Sequence, residues 1–311
     1  MRVGILLDPL SQLNLVKDST LDLVRVGIAR SHDVEIFHPA DLTATPIGVQ
    51  AAAALARLAP TSAAGLAFGD PSARALSQYD FVLMRTDPPV DMAYVASCHL
   101  LAQAENCTRI VNRPSGVLMT PEKVFPMSFP ELHPPTVISR DWAELSAFRE
   151  AQGDVVVKPL YDFCGNGVFL VMHGDKNYRS MCDTLMRLYK APIVVQKFIP
   201  EVRLGDKRVF MVAGEPIAAI DRMAPEDDAR SNMFVGGTPI ASALSDRDLE
   251  ICRTIGPVLA QRGIVLAGLD IIGEYLTEVN VTSPTGILQI RDLCDIDVSV
   301  AFWKWMERTT A

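Results

Sequence analysis

The sequence predicts an α/β protein made of two or three closely packed lobes. Short apolar runs alternate with helical stretches from the first residues onward, which is the pattern of strands and helices that follow one another along a chain. The chain has 311 residues, 49% of them hydrophobic, and this is enough apolar material for a large core. A passage with six prolines, residues 114–135, marks the entry into a second unit.

The first section is predicted to form an open, mostly parallel sheet. Its elements are, in order, a strand at Val3–Leu7, a helix at 18–30, strands at Val34–Phe37 and Phe81–Met84, a helix at 91–105 and a strand at Arg109–Val111. The stretch 43–76 is rich in Ala, Thr, Pro and Gly and receives no assignment. Such sheets bind ligands at the carboxyl ends of their strands. Asp8 and Arg85 fall just beyond two of these ends.

The rest of the chain divides into two further sections, so that the expected units are 1–120, 121–200 and 201–311. The second section is predicted to be an α+β lobe with strands at Pro135–Ile138, Val155–Lys158, Val168–Val171 and Ile193–Ile199 and helices at Trp142–Glu150 and Tyr178–Tyr189. The third is predicted to contain strands at Lys207–Val212 and Ile217–Asp221, a mobile loop at 224–237, a helix at 245–262, an apolar hairpin at 264–281 and short helices.

Charge and cysteine usage exclude several classes of function. The net charge is −8, so the chain is a poor candidate for binding nucleic acid or an anionic membrane surface. Asp8 and Pro9 interrupt the first apolar run, which is therefore too short for the apolar region of a signal peptide. No segment approaches the roughly 20 apolar residues of a membrane span. The six cysteines form no CxxC pair, and scattered thiols of this kind favour a cytoplasmic location.

The hairpin at 264–281 is the most informative segment. Alternation along a strand places Glu278 and Asn280 on one face. If residues 273–275 form a three-residue turn, Asp270 falls opposite Glu278, whereas a two-residue turn would put it on the other face. Opposed carboxylates repel each other unless a cation lies between them, and Mg²⁺ prefers hard oxygen ligands of this kind. The alternative interpretation is a solvated sheet face.

Two lysines are candidates for binding an anion. Lys158 ends a predicted strand and directly precedes a turn that contains Gly165 and Gly167. Glycines let backbone N–H groups approach an anion closely. Lys123 lies within the proline-rich passage, in Pro121-Glu-Lys-Val-Phe, and an isolated lysine of this kind is usually a surface residue. The sequence contains neither a P-loop motif nor a strand–GxGxxG–helix unit.

Arg208 lies within the predicted strand Lys207–Val212, in an otherwise apolar run. An arginine in that position needs a partner, and an anionic substrate or an acyl phosphate would serve. The alternative is a structural ion pair with one of the acidic residues of the chain.

Taken together, these segments resemble the ATP-grasp superfamily and, within it, the bacterial glutathione synthetases. The resemblance covers essentially the whole chain. It is carried by Asp8-Pro9, Lys17-Asp18-Ser19, Arg85-Thr-Asp87-Pro88-Pro89, Val111-Asn112-Arg-Pro114, Gly205-Asp-Lys-Arg208, Arg230-Ser-Asn232 with Gly236-Gly237, and Gly268-Leu-Asp270-Ile-Ile-Gly273 with Leu276-Thr-Glu278-Val-Asn280-Val-Thr282-Ser283-Pro284-Thr285. The last of these is long and specific, and it decides the superfamily.

The resemblance implies a fold and a reaction. The fold would be an ATP-grasp fold, with an N-terminal open parallel-sheet domain and two α+β lobes that enclose ATP. The reaction would join γ-glutamylcysteine to glycine: ATP phosphorylates the cysteinyl carboxylate, and the amine of glycine attacks the acyl phosphate. Similar proteins imply a homo-oligomer, a tetramer.

The resemblance also implies a role for each matched residue. Asp270, Glu278 and Asn280 would hold Mg²⁺ (or Mn²⁺). The phosphates of ATP would meet Lys123, Lys158, Gly165 and Gly167, and the adenine would meet Gln196, Lys197, Phe198 and Ile199. Arg208 would neutralise charge on the transferring phosphoryl group, and Arg230 and Asn232 would lie on a closing loop. The remaining substrate contacts would come from Asp18, Ser19, Arg85, Ser283 and Thr285.

The sequence departs from the family pattern in two places. The loop that covers the phosphates is usually Asp-Gly-Met-Gly-Gly after Lys-Pro-Leu, and here it is Tyr161-Asp162-Phe163-Cys164-Gly165. Glu226-Asp227-Asp228 replaces a usual glycine pair ahead of Arg230. These departures motivate a second hypothesis, a ligase for another amino-acid or peptide pair. A third is a catalytically silent ATP-binding regulator.

Trp303 and Trp305 could belong to an interface or to the core.

Overall fold

The computed structural model describes residues 1–225 and 236–310, whose strands form three sheets. The first sheet has eight strands: β1 (Arg2–Leu7), β2 (Asp33–Phe37), β3 (Leu42–Thr45), β4 (Gly48–Leu58), β5 (Leu66–Phe68), β6 (Ser72–Ala75), β7 (Phe81–Arg85) and β8 (Arg109–Val111). The helices of this section are α1 (Ser19–Ala29), α2 (Met92–Ala102) and α3 (Pro114–Leu118).

The centre of the first sheet is parallel, as predicted, but its flank is antiparallel. Strands β2, β1, β7 and β8 lie side by side and run parallel. Strands β3 to β6 come from the stretch 43–76 that the sequence left unassigned, and they pair antiparallel through β4, which joins β2. Buried and exposed positions alternate along the first half of β4. Alanine occupies both kinds of position there, so the residue types do not show the alternation.

The second sheet is antiparallel in the order β11-β10-β12-β9. Its strands are β9 (Thr136–Ser139), β10 (Val155–Pro159), β11 (Phe169–Val171) and β12 (Ile193–Lys197), and its helices are α4 (Trp142–Gln152) and α5 (Tyr178–Tyr189). These elements confirm the predicted strands and helices to within two residues at each end.

The third sheet is antiparallel in the order β15-β14-β13-β16-β17. Its elements are β13 (Asp206–Val212), β14 (Glu215–Met223), β15 (Thr238–Ser242), α6 (Asp246–Gln261), β16 (Leu266–Ile272), β17 (Tyr275–Asn280), α7 (Ile287–Cys294) and α8 (Val298–Thr310). Strand β15 was not predicted. The predicted mobile loop at 224–237 falls for the most part outside the described residues, and so do Arg230 and Asn232.

The turn between β16 and β17 corrects the predicted hairpin. The turn has two residues, Gly273 and Glu274, and not the three that the sequence analysis required. A register shift next to Asp270 adds one residue, Thr277, to β17, so that Asp270 still pairs with Glu278. This extra residue is a β-bulge, and a bulge moves the residues that follow it to the opposite face of the strand. The predicted pairing of the two carboxylates is therefore confirmed, although the predicted turn is wrong.

The first and third sheets share their apolar cores. One cluster includes Leu6 of β1 and Leu269 of β16, and a second includes Ile5 of β1 and Phe210 of β13. The second sheet has a separate cluster, which includes Val157 and Tyr178. The first and third sections therefore form one packed body, and the second section is a lobe with its own core.

Helix α8 brings Trp303 into the shared core. The indole is fully buried and donates from Nε1 to the Leu23 carbonyl of α1 at 2.9 Å. Of the two locations that the sequence left open, Trp303 occupies the core. Among the described helices, none is long and apolar enough to cross a membrane.

Asn112 joins the first sheet to the hairpin. Its Nδ2 donates to the carbonyls of Leu266 (2.8 Å) and Val281 (2.7 Å). Its Oδ1 accepts from the backbone N–H groups of Val265 (2.8 Å) and Leu266 (3.0 Å). One buried amide thus satisfies the backbone at both ends of the segment that carries Asp270 and Glu278.

We expect Asn112→Ala to destabilise the protein by about 3 kcal/mol or more, because it leaves several buried backbone groups without partners. The free energy of unfolding in urea would measure the loss. Asn177→Ala is the matched control, since Asn177 is exposed and makes no side-chain cap bond to α5. An Asn112 variant as stable as the Asn177 variant would contradict this account.

Candidate active site

A cleft of about 650 Å³ receives residues from all three sections of the chain. It is lined by Asp18 and Asp87 from the first section, Lys158 and Gln196 from the second, and Arg208 and Asp270 from the third, among others. The site is therefore composite: it forms where the separately cored lobe meets the body made by the first and third sheets.

Asp270 lies at the centre of the charged groups in the cleft. Its carboxylate accepts from Arg208 Nε at 2.5 Å and from Arg208 Nη2 at 3.0 Å. Arg222 Nη2 lies 3.1 Å from the same carboxylate and 2.5 Å from Asp206 Oδ2. The structural ion pair that was the alternative for Arg208 is thus present, and both of its members line the cleft.

Charge balance explains why these buried groups stay ionised. Burial by itself would raise the pKa of Asp270, but the guanidinium groups of Arg208 and Arg222 outweigh it and hold this pKa well below its usual range. Burial by itself would lower the pKa of Arg222, and the carboxylates of Asp206 and Asp270 outweigh it and raise this pKa. The cleft floor is therefore a fixed array of paired charges.

Glu278 carries the second carboxylate of the hairpin. Lys158 Nζ donates to Glu278 Oε1 at 3.1 Å. Burial would raise the pKa of Glu278, but Lys123 and Lys158 outweigh it and lower this pKa. Both lysines are only 6% exposed, so neither is an ordinary surface lysine. Asn280 completes the set, and its Nδ2 donates to Asp270 Oδ2 at 3.1 Å.

The donor set at the hairpin fits a hard divalent cation that is shared with a phosphorylated ligand. Asp270, Glu278 and Asn280 all line the cleft and offer carboxylate and amide oxygens. Among the described residues, no group of three or more His, Cys, Asp or Glu side chains could hold a metal ion. Two carboxylates and one amide are a partial shell, which Mg²⁺ commonly completes with phosphate oxygens and water.

The loop after β10 forms part of the cleft wall. Lys123 Nζ donates to the backbone carbonyl of Asp162 at 2.5 Å, and Gly165 lines the cleft. Gly167 does not: a Cβ there would lie 3.2 Å from Pro159, so this glycine packs beneath the loop. Burial raises the pKa of Cys164 to about 12, which keeps its thiol neutral near pH 7.

The four residues predicted for the adenine pocket all line the cleft. They are Gln196, Lys197, Phe198 and Ile199. The side chain of Gln196 is fixed, because its Nε2 donates to Thr136 Oγ1 at 2.9 Å and lies 3.2 Å from His133 Nε2. Burial lowers the pKa of His133 to about 4, so the imidazole is neutral at pH 7 and can accept this hydrogen bond.

The five residues predicted to make the remaining substrate contacts divide into two groups. Asp18, Ser283 and Thr285 line the cleft. Arg85 and Ser19 lie behind the cleft wall, contrary to the expectation that they face the peptide substrate. Arg85 Nη2 donates to the Pro284 carbonyl at 3.2 Å, and Ser19 Oγ accepts from Gly286 N at 3.3 Å. These two residues support the segment that carries Thr285.

Sequence reasoning missed several charged residues of the cleft, among them Arg222, Glu122 and Asp87. Arg222 is an arginine in an apolar strand, which is the signal that identified Arg208. Burial raises the pKa of Glu122, and its carboxylate accepts from Thr282 Oγ1 at 3.0 Å. Burial also raises the pKa of Asp87. Glu122 lies in no pattern that distinguishes it from a surface carboxylate. Asp87 lies in the segment Arg85-Thr-Asp87-Pro88-Pro89, which carries the family resemblance, but it received no role.

Comparison with solved structures identifies the fold as ATP-grasp. The D-cycloserine synthetase DcsG matches with a TM-score of 0.70 at 14% identity, over 98% of this chain and 99% of that chain. The ATP-grasp ligase PsnB, complexed with minimal precursor, Mg and ADP, matches with a TM-score of 0.63 at 17% identity, over 99% of this chain and 97% of that chain. These matches place the chain in the ATP-grasp fold class.

Within that class, two family models cover nearly the whole chain. The N-terminal domain of prokaryotic glutathione synthetase matches residues 1–117, and the ATP-grasp domain of prokaryotic glutathione synthetase matches residues 122–295. The glutathione synthetase of Rhodopseudomonas palustris is 42% identical, over 100% of this chain and 99% of that protein. The glutathione synthetase of Brucella melitensis is 39% identical, over 99% and 98%. The chain belongs to the prokaryotic glutathione synthetase family.

We expect Asp270→Asn to destabilise the fold by about 3–5 kcal/mol, because it leaves two buried guanidinium groups without their shared carboxylate. Urea unfolding of both proteins would measure the difference. Asp292→Asn is the matched control, since Asp292 pairs with Arg291 at 3.5 Å on the surface and such a pair contributes little. Equal stability of the two variants would contradict the central role of Asp270.

Proposed function

We propose that the protein is an ATP-dependent ligase that joins γ-glutamylcysteine to glycine through an acyl phosphate, giving glutathione, ADP and phosphate. The observation that carries this proposal is the composite cleft, in which Asp270, Glu278 and Asn280 face Lys158 and Arg208. Membership of the glutathione synthetase family supports the identity of the two joined substrates. Phosphoryl transfer requires positioning and charge neutralisation more than covalent participation by the protein.

The nucleotide is proposed to lie between the second and third sheets. Gln196 to Ile199 would hold the adenine, and Lys123, Lys158 and the backbone at Gly165 would hold the phosphates. Gly167 would act from beneath the loop, where it shapes the turn. Asp270, Glu278 and Asn280 would hold Mg²⁺ (or Mn²⁺), which when bound supplies charge neutralisation at the phosphates.

The acceptor substrates are proposed to occupy the side of the cleft formed by the first section together with residues 283–285. Ser283 and Thr285 would bind a substrate carboxylate, and Asp18 lines the same cleft. Arg208 would neutralise the charge of the transferring phosphoryl group. An acyl phosphate is hydrolysed if water reaches it, so a closing loop is useful. Arg230 and Asn232, proposed for that loop, lie outside the described residues.

Three further predictions remain proposals: the domain boundaries, the cellular location and the oligomeric state. The division at residues 120 and 200 is supported by the sheets, each of which takes its strands from one of the three segments. The cytoplasmic location is supported by six cysteines without a disulfide bond. The homo-oligomeric state, a tetramer, rests on the resemblance.

Phosphate release with ATP and Mg²⁺, measured across a panel of acids and amines, tests the proposed reaction. We expect turnover only when γ-glutamylcysteine and glycine are both present. Turnover with another pair would favour the second hypothesis, which the altered loop Tyr161–Gly165 motivates. ATP binding without turnover on any pair would identify a silent regulator and contradict the proposal.

We expect Glu278→Gln to lower kcat by about a hundredfold or more, because it removes a charged oxygen ligand that acts at the transferring phosphoryl group. Steady-state kinetics with saturating substrates would measure the loss. Glu274→Gln is the control in the same hairpin, at the exposed turn. Near-wild-type activity of the Glu278 variant would rule out its assignment as a metal ligand.

A further inference from the structure

The loop that covers the phosphates carries a carboxylate, Asp162, where the family pattern has glycine. Asp162 lines the cleft and belongs to the loop proposed to hold the phosphates of ATP. A carboxylate turned toward a triphosphate would repel it, and the repulsion is strong in a partly buried site. The structure shows how this cost is avoided.

The carboxylate of Asp162 is held by its own loop and by α5. Tyr189 Oη donates to Asp162 Oδ2 at 2.5 Å, and the N–H of Phe163 donates to Asp162 Oδ1 at 2.8 Å. Tyr189 is the last residue of α5 and does not line the cleft. Both carboxylate oxygens are thus engaged by groups that belong to the second lobe.

The same residue also holds a lysine of the site. The backbone carbonyl of Asp162 accepts from Lys123 Nζ at 2.5 Å. An ammonium group has three N–H donors, so Lys123 can keep this bond and still offer two donors to a phosphate. The position of peptide 162 therefore sets the position of Lys123.

The hydroxyl of Tyr189 stays protonated over the whole working range of pH. Its hydrogen bond to Asp162 raises the pKa of Tyr189 to about 12. The hydroxyl is therefore a permanent donor at neutral pH, and the bond to a carboxylate is of the stronger, charge-assisted kind.

We propose that Tyr189 is a positioning residue for ATP: through Asp162 it turns the loop carboxylate away from the phosphates and fixes the carbonyl that orients Lys123. The inference rests on the proposed function, because it takes ATP as the ligand of the cleft. It explains how this chain keeps a nucleotide site although its loop lacks the usual glycines.

Equilibrium binding of a non-hydrolysable ATP analogue with Mg²⁺ tests the proposal. We expect Tyr189→Phe to raise the dissociation constant about five- to tenfold, since one charge-assisted hydrogen bond is lost and the carboxylate is released toward the phosphates. In an Asp162→Ala background the same substitution should have no further effect. At saturating ATP, kcat should stay within about twofold of the wild type, so that the change appears in the KM for ATP.

Tyr178→Phe is the matched control, because Tyr178 begins the same helix, α5, its hydroxyl donates to the Leu145 carbonyl at 2.8 Å, and it does not line the cleft. We expect its affinity for the analogue to equal that of the wild type. Unchanged affinity in Tyr189→Phe would overturn the proposal, and so would equal weakening in the wild-type and Asp162→Ala backgrounds. A purely structural role would lower the unfolding midpoint and leave the affinity of the folded protein unchanged, which also overturns it. Failure of the wild type to bind the analogue would instead contradict the proposed function.

Discussion

The site depends on one buried carboxylate. Asp270 receives two guanidinium groups, those of Arg208 and Arg222, and without it two buried positive charges would face each other. Because the three side chains come from three neighbouring strands of one sheet, their pairing also fixes the register of those strands. The same three side chains therefore balance the charge and hold the strands in register, so the floor of the cleft is both highly charged and rigid.

The floor of the cleft belongs to one packed unit, and the opposite wall belongs to a lobe with its own core. The first and third sheets share two apolar clusters, and Asn112 ties the hairpin to the first sheet, so the floor belongs to a single packed unit. The second lobe has its own core and contributes Lys158 and Gln196 to the opposite wall. A separately cored lobe can move relative to its neighbour without breaking either core, which suits a site that must admit a nucleotide and then exclude water.

The loop after β10 shows how a departure from a family pattern is accommodated. This loop, Tyr161-Asp162-Phe163-Cys164-Gly165, lacks most of the usual glycines and carries an added carboxylate. In the structure the carboxylate of Asp162 is engaged by Tyr189 and by the N–H of Phe163, while its backbone carbonyl holds Lys123. The hydrogen bonds of a residue therefore decide whether its charge acts on the ligand, and residue type alone does not.

The sequence by itself determined the order of most strands and helices, the family, and several of the charged and polar side chains that line the cleft, among them Lys158, Arg208 and Asp270. These features depend on local periodicity and on short motifs, which a chain carries whatever its partners are. The tertiary structure decided the rest. It showed that a bulge and a two-residue turn bring Asp270 opposite Glu278, that Arg222 joins the site, and that Arg85 supports the wall without lining it. The first feature depends on the backbone pairing within the hairpin, and the other two depend on contacts between segments that are distant along the chain. Neither periodicity nor residue type records these contacts.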